Sequence, residues 1–127
     1  MRKLRPNLMV NDVNATIRWY ADMFGARTVV TVPEEGAFDF ALVRIGDVEI
    51  MFEKPDSLSD GISALQNLPI GGSFTLYVDV DDVDALHAKV KDRGAEIVKD
   101  LQETFYGTRE FYMKDCNGYV LTLATAT

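Results

Sequence analysis

Paired carboxylates are the first candidates for chemistry in this chain. Glu49 and Glu53 fall in the run Val48-Glu49-Ile50-Met51-Phe52-Glu53. As a strand, this run puts Val48, Ile50 and Phe52 on one face and Glu49, Met51 and Glu53 on the other. Four residues of strand hold the two carboxylates roughly 13 Å apart. That is too far for a retaining glycosidase pair and beyond the usual inverting range. Asp79, Asp81, Asp82 and Asp84 have the composition of a metal cluster. They stand where a helix begins, and a helix start favours acidic caps and first-turn carboxylates, so they read as capping. His87, the single histidine, sits at the edge of a helical apolar stripe and reads as a partly exposed surface residue, not a ligand. Cys116 lies in a turn, and its surroundings in the sequence do not suggest a nucleophile. Tyr106, Arg109 and Tyr112 flank that turn and could touch a ligand; Arg109 could equally hold a hairpin by pairing with a carboxylate. No Gly-rich phosphate loop, C-x-x-C or G-x-S-x-G motif occurs.

The elements that must carry these side chains recur in order. Arg5 to Val10 has the pattern of a short strand ending at Asn11-Asp12. Val13, Ile17, Tyr20 and Phe24 then fall at helical spacing, with Asn11 or Asp12 as cap and Gly25 as stop. Ala26 to Val32 is a β-branched run. Pro33 to Gly36 is a turn, and Phe38 to Ile45 and Val48 to Glu53 are strands about a Gly46-Asp47 turn. The first half therefore predicts β-α-β-β-β. Residues 54–72 read as a linker with one helical turn around Ile62 to Leu68. The order then repeats, with Phe74 to Val80 a strand and Val83, Leu86 and Val90 a helical stripe ended by Gly94. Ile97 to Phe105 is a further strand, and Tyr106 to Leu123 a hairpin about Asp115-Cys116-Asn117-Gly118. Its Asn-Gly pair predicts a type I′ turn, because both residues tolerate positive φ. Setting Asp12-Val13 on Asp82-Val83 brings the two glycine stops together with a one-residue offset. A repeat of this kind outranks local propensity as a clue to fold.

The totals exclude several function classes. A chain of 127 residues, 47% hydrophobic and 26% charged, can bury a core as one domain. Its net charge of −7 should repel nucleic acid and anionic membrane, so neither is an expected partner. No run approaches the length of a membrane span. One cysteine and no apolar leader suit a reducing, cytoplasmic location.

Gly107, Arg109, Phe111, Asp115, Asn117, Gly118 and Tyr119 carry the pattern G-x-R-x-F-x-x-x-D-x-(D/N)-G-Y. Val10-Asn11-Asp12-Val13 and Val80-Asp81-Asp82-Val83 open the two helices with V-x-D-V. With two β-α-β-β-β modules, these features resemble the vicinal oxygen chelate superfamily of glyoxalases, bleomycin-resistance proteins and extradiol dioxygenases. The resemblance covers Arg5 to Leu123. It implies an α+β fold in which two tandem βαβββ modules form a curled eight-stranded sheet with a concave cavity and helices outside. One domain over residues 1–127 would then comprise a module at about 4–53, a linker at 54–72 and a module at about 73–124. It also implies a homodimer.

In the family's enzymes a divalent metal sits in that cavity, held by His or Gln on the first strand and Glu on the last strand of each module. Matched to this chain, those positions fall at Arg5 (with Asn7 next on the same face), Glu49, Thr75 and Thr122. Only Glu49 keeps a ligand type, since Arg stays protonated and threonine hydroxyls are poor ligands. No metal cofactor is therefore expected. By strand parity the cavity lining would be Met9, Met51, Tyr77 and Val120 for apolar contact, with Arg5, Asn7, Glu49, Thr75 and Thr122 for polar contact. Tyr112 would join from the hairpin. The expected function is that of a bleomycin-resistance-type protein that sequesters a small organic ligand without metal. The acidic balance suits a cationic ligand on Glu49. The alternative is a glyoxalase-like metal-dependent lyase, isomerase or dioxygenase with atypical ligands, in which Glu49 is a ligand or general base. A domain that only mediates dimerisation is the third reading.

Overall fold

The computed structural model describes residues 1–127 in two units. The first, Met1–Pro69, runs β1 (Asn7–Met9), α1 (Val13–Phe24), β2 (Arg27–Val32), β3 (Phe40–Ile45), β4 (Val48–Glu53) and α2 (Pro55–Gly61), then a 3-10 turn at Ser63–Leu65. The second, Ile70–Thr127, runs β5 (Thr75–Asp79), α3 (Val83–Asp92), β6 (Glu96–Glu103), β7 (Thr108–Lys114) and β8 (Val120–Ala126). The class is α+β with two tandem βαβββ modules, as expected. The eight strands divide into two four-stranded mixed sheets, ordered β1-β4-β3-β2 and β5-β8-β7-β6. In each, the first strand pairs parallel with the fourth and the remaining pairs are antiparallel.

Capping starts both repeated helices. Asp12 Oδ1 accepts from the Ala15 amide at 2.9 Å, and Asp82 Oδ1 from the Ala85 amide at 3.0 Å. Gly25, at φ 70°, ends α1 in the left-handed conformation that a side chain would disfavour. Helix α1 buries Val13, Thr16, Tyr20 and Met23, so its inner stripe is turned from the expected one. Ile17 and Phe24 are only half-buried. Thr16 can go inside because its hydroxyl donates to the Asp12 carbonyl at 2.8 Å, which satisfies the polar atom.

Helices α1 and α3 each cover one face of their own sheet. Tyr20 of α1 meets Phe52 of β4 with ring centroids 4.9 Å apart, and His87 of α3 meets Phe111 of β7 edge-on at 4.9 Å. Leu8, Ala41, Val43, Ile50 and Phe52 are buried in the first unit, and Phe111, Met113, Leu121 and Leu123 in the second. Parity then assigns Asn7, Met9, Glu49, Met51 and Glu53 to the helix-free face of the first sheet. Thr75, Tyr77, Glu110, Tyr112 and Thr122 take the helix-free face of the second.

The helical turn expected around Ile62 to Leu68 is the 3-10 turn at Ser63–Leu65. A further helix, Pro55–Gly61, precedes it, and Pro55 occupies its first helical position, where the missing N–H costs nothing. One local expectation changes. The β7–β8 connection is not a type I′ turn. Asn67 is the one non-glycine residue with positive φ, so Asn117 has ordinary backbone and Gly118 alone, at φ 90°, turns left-handed. Buried Asp115 explains the choice: its Oδ1 accepts from the Asn117 and Tyr119 amides at 2.8 and 2.9 Å. No helix is long and apolar enough to cross a membrane.

Candidate functional site

The second sheet carries a sealed carboxylate. Glu110 is 0% exposed. In the β7–β8 ladder it stands opposite Ala124, whose methyl group leaves room on that face, and Tyr112 stands opposite Thr122, itself paired with Tyr77. Four hydroxyls fill this space. Tyr77 donates to Glu110 Oε2 at 2.8 Å and Thr108 to the same oxygen at 3.0 Å. Tyr112 donates to Oε1 at 3.1 Å, and Tyr106 donates to Oε1 through a short hydrogen bond. A carboxylate has about four acceptor sites, so the set is complete. Burial pushes the Glu110 carboxyl up, but the hydroxyls of Tyr106, Tyr77, Thr108 and Tyr112 outweigh it and hold the group below the usual range. The same bonds push the phenols up: Tyr106 to about 12, and Tyr77 and Tyr112 above their ordinary value. At neutral pH this is an ionised acid under three protonated phenols. Tyr77 and Tyr106 are about half exposed, at 50% and 52%, so their rings remain open to a ligand. Lys99 lies 5.8 Å over the Tyr112 ring.

The first sheet carries a carboxylate of opposite character. Glu49 pairs across the β3–β4 ladder with Arg44, whose Nη2 donates to Oε2 at 2.8 Å. Arg5 Nε donates to Oε1 at 2.9 Å, and Lys3 Nζ pairs with the same oxygen. Lys3, Arg44 and Arg5 hold the Glu49 carboxyl down at about 2. A carboxylate depressed in the folded state adds stability above its unfolded value near 4.5 and loses it as pH falls towards 2. Urea midpoints should therefore drop between about pH 4.5 and about pH 2, and Glu49→Gln should flatten that limb of the profile. A variant with an unchanged acid limb would rule Glu49 out as its source.

The other expected lining residues fall into pairs within their own units. Asn7 Nδ2 donates to Glu53 Oε1 at 3.0 Å, and Ser57 to Glu53 Oε2 at 2.6 Å. Met9 and Met51 lie opposite Glu53 and Asn7 in the β1–β4 ladder. Thr75 and Thr122 share a hydroxyl hydrogen bond of 3.0 Å, and Val120 lies opposite Thr75. Arg109 is on the helix side of its sheet. It grips Asp84 of α3 with Nε at 3.0 Å and Nη2 at 2.9 Å, and its Nη1 lies 3.6 Å from Glu103. It therefore ties β7 to α3 and to β6, and takes Asp84 out of any metal cluster. His87 Nε2 lies 2.6 Å from Asp100 Oδ1 but without hydrogen-bond alignment, and Cys116 is exposed in its turn.

The donor set does not fit the family's divalent metal. No group of three or more His, Cys, Asp or Glu side chains converges. Glu49 is held by three cations, and the Thr75 and Thr122 hydroxyls hold each other. The registers also refine the matching. Asn7 and Tyr77 stand equally far before the capping aspartates, and their partners are Met51 and Thr122. Thr122 is thus the counterpart of Met51, not of Glu49.

Sequence reading missed Glu110, Thr108, Arg44 and Lys3. Applying to β7 the alternation applied to β4 exposes Glu110, because Phe111 and Met113 must share the buried face. The Gly46-Asp47 turn likewise sets Arg44 across from Glu49. Lys3 precedes every element and carries no such signal.

A family model described as Glyoxalase/Bleomycin resistance protein/Dioxygenase superfamily matches residues 4–123. An uncharacterized protein of Mycobacterium tuberculosis is 28% identical over 118 residues, which are 91% of this chain and 69% of that protein. A glyoxalase/bleomycin resistance protein/dioxygenase family enzyme from Burkholderia phytofirmans PsJN superposes with a TM-score of 0.80 at 22% identity, covering 97% of each chain. A protein of unknown function from Agrobacterium tumefaciens str. C58 superposes with a TM-score of 0.80 at 22% identity, covering 100% of this chain and 95% of its own. At such identities the structural likeness speaks for the fold. With the family match spanning both modules, the chain belongs to the Glyoxalase/Bleomycin resistance protein/Dioxygenase superfamily.

Proposed function

We propose that this chain is a small-molecule-binding protein of the bleomycin-resistance type, which holds an organic ligand by stoichiometric binding and not by turnover. The observation that carries the reading is the Glu110 cluster: a buried, fully satisfied carboxylate that fixes two phenols on a helix-free sheet face and a third, Tyr106, from the β6–β7 turn. Rigid aromatic rings with fixed polar tips bind small organic bodies at low entropic cost. Thr75 and Thr122 add hydroxyl handles to the same sheet. A cationic ligand on Glu49 is not part of the proposal, because three protein cations already meet that carboxylate. A homodimer is the proposed assembly, checked by light scattering on the eluted protein.

The test is metal stoichiometry on purified protein incubated with Ni²⁺, Zn²⁺, Mn²⁺ or Fe²⁺ and desalted, followed by a thermal-shift screen of small organic compounds. The expected outcome is no retained metal and at least one compound that raises the midpoint in wild type but not in Tyr77→Phe or Tyr112→Phe. Near-stoichiometric metal that is lost in Glu49→Ala would overturn the reading and promote the metal-dependent lyase, isomerase or dioxygenase.

A further inference from the structure

In a chain of net charge −7, the helix-free face of the first sheet holds a local excess of positive charge. One cation would neutralise Glu49, yet Lys3, Arg5 and Arg44 all meet it. Neutralising a buried carboxylate does not call for the second and third, which leave the cluster at +2. Their side chains remain 49%, 42% and 41% exposed, while that of Glu49 is only 5% exposed. Arg5 contacts Glu49 through Nε and Arg44 through Nη2. A guanidinium has five N–H donors in a rigid fork suited to carboxylate and phosphate. Each arginine thus keeps several donors turned to solvent after Glu49 has been satisfied. Beside them on the same face, Met51 and Leu42 are cross-strand partners, each two residues along its strand from the Glu49–Arg44 pair, and both are half-buried. Fixed donors, surplus positive charge and an apolar floor lie next to one another.

We infer that Lys3, Arg5 and Arg44 form a receptor for a small organic oxyanion, a carboxylate or phosphate ester, with Glu49 as the positioning residue that holds the three cations together. The site reverses the charge that the acidic composition suggested for the ligand. The inference rests on the proposed binding role for the ligand's organic body, whereas the sign of the charge follows from the cluster alone.

The experiment uses the full chain and four probes with one aromatic body: benzoate, phenyl phosphate, benzyl alcohol and benzylammonium. Amide chemical-shift titrations give affinity and place together. Benzoate and phenyl phosphate should shift the amides of Arg5, Arg44 and Glu49, and should bind about tenfold or more tightly than benzyl alcohol (about 1.4 kcal/mol). Added salt should weaken both. Arg44→Gln and Lys3→Gln should each lower the anion affinity several-fold, while Lys91→Gln, which removes the same charge from an exposed position on α3, should not. The two anionic probes separate carboxylate from phosphate as the preferred head. Equal binding of benzoate and benzyl alcohol would overturn the anion site and leave the binding role standing. Tighter binding of benzylammonium at these residues, or an Arg44→Gln variant with unchanged benzoate affinity, would also overturn it. If no probe shifts any residue, the anion site falls, and the thermal-shift screen decides the small-molecule role by itself.

Discussion

Glu110→Gln should lower the thermal midpoint and, in the same protein, bring three tyrosines back towards ordinary titration. The amide replaces one acceptor oxygen by a donor, so the two hydroxyls on that side lose their acceptor whichever way the group turns: Tyr106 and Tyr112, or Tyr77 and Thr108. Orphaned polar groups at a buried site cost about 1–3 kcal/mol. At roughly 4 °C per kcal/mol for a domain of this size, the midpoint falls by roughly 4–12 °C. The second consequence is specific to the cluster. Facing an anion, Tyr106 ionises at about 12, with Tyr77 and Tyr112 also raised; facing an amide, all three return towards about 10. A group with a raised folded value gives stability that is complete below its unfolded value and lost as pH rises through the folded one. Wild type should therefore lose stability between about pH 10 and about pH 12, and Glu110→Gln should show less of that loss. Near-ultraviolet phenolate absorbance reads the titration. Identical alkaline curves in both proteins would show that Glu110 does not organise the phenols.

Phe111→Ala should destabilise more and disturb the phenols less. Phe111 is the next residue along β7, fully buried on the opposite face and packed edge-on against His87 of α3. Removing a buried aromatic ring costs about 3–5 kcal/mol through lost transfer energy and the cavity left behind. For a domain whose whole stability is about 5–15 kcal/mol, that is a large share. The midpoint should fall by roughly 12–20 °C. Below that midpoint Tyr77, Tyr106 and Tyr112 should still titrate high, because their bonds to Glu110 lie on the other side of the strand. Urea unfolding and the phenolate titration, run on both variants, separate the two roles. A Phe111→Ala variant with wild-type stability would place that ring outside the core. One whose phenols titrate normally while folded would show that the two faces of β7 are not independent.

Much of this was legible because strand and helix periods leave a mark on every residue. Val48, Ile50 and Phe52 fall on one side by parity alone, which puts Glu49 and Met51 on the opposite, helix-free face. Asp12 and Asp82 identify themselves as caps by type and place. The turn at Asp115 shows where local signals stop. Asn117-Gly118 favours a type I′ turn in isolation, but the buried Asp115 carboxylate offers two amides a partner and so selects a different backbone. The α1 stripe changed for a related reason: hydrophobicity ranked Ile17 above Thr16, whereas a hydroxyl bonded to the Asp12 carbonyl is as buriable as a methyl group.

The sequence by itself determined the repeat, the α+β class, the family and the face on which each expected residue lies, because these follow from spacing along the chain. Only the tertiary structure decided what each carboxylate meets. Glu49 and Glu110 are the same residue type on strands of similar pattern, yet one is ringed by Lys3, Arg5 and Arg44 and the other by Tyr77, Tyr106, Thr108 and Tyr112. Those partners come from sequence separations of two to 46 residues. The electrostatic character of a side chain is set by what folding brings within a few ångströms of it, and no local period records that.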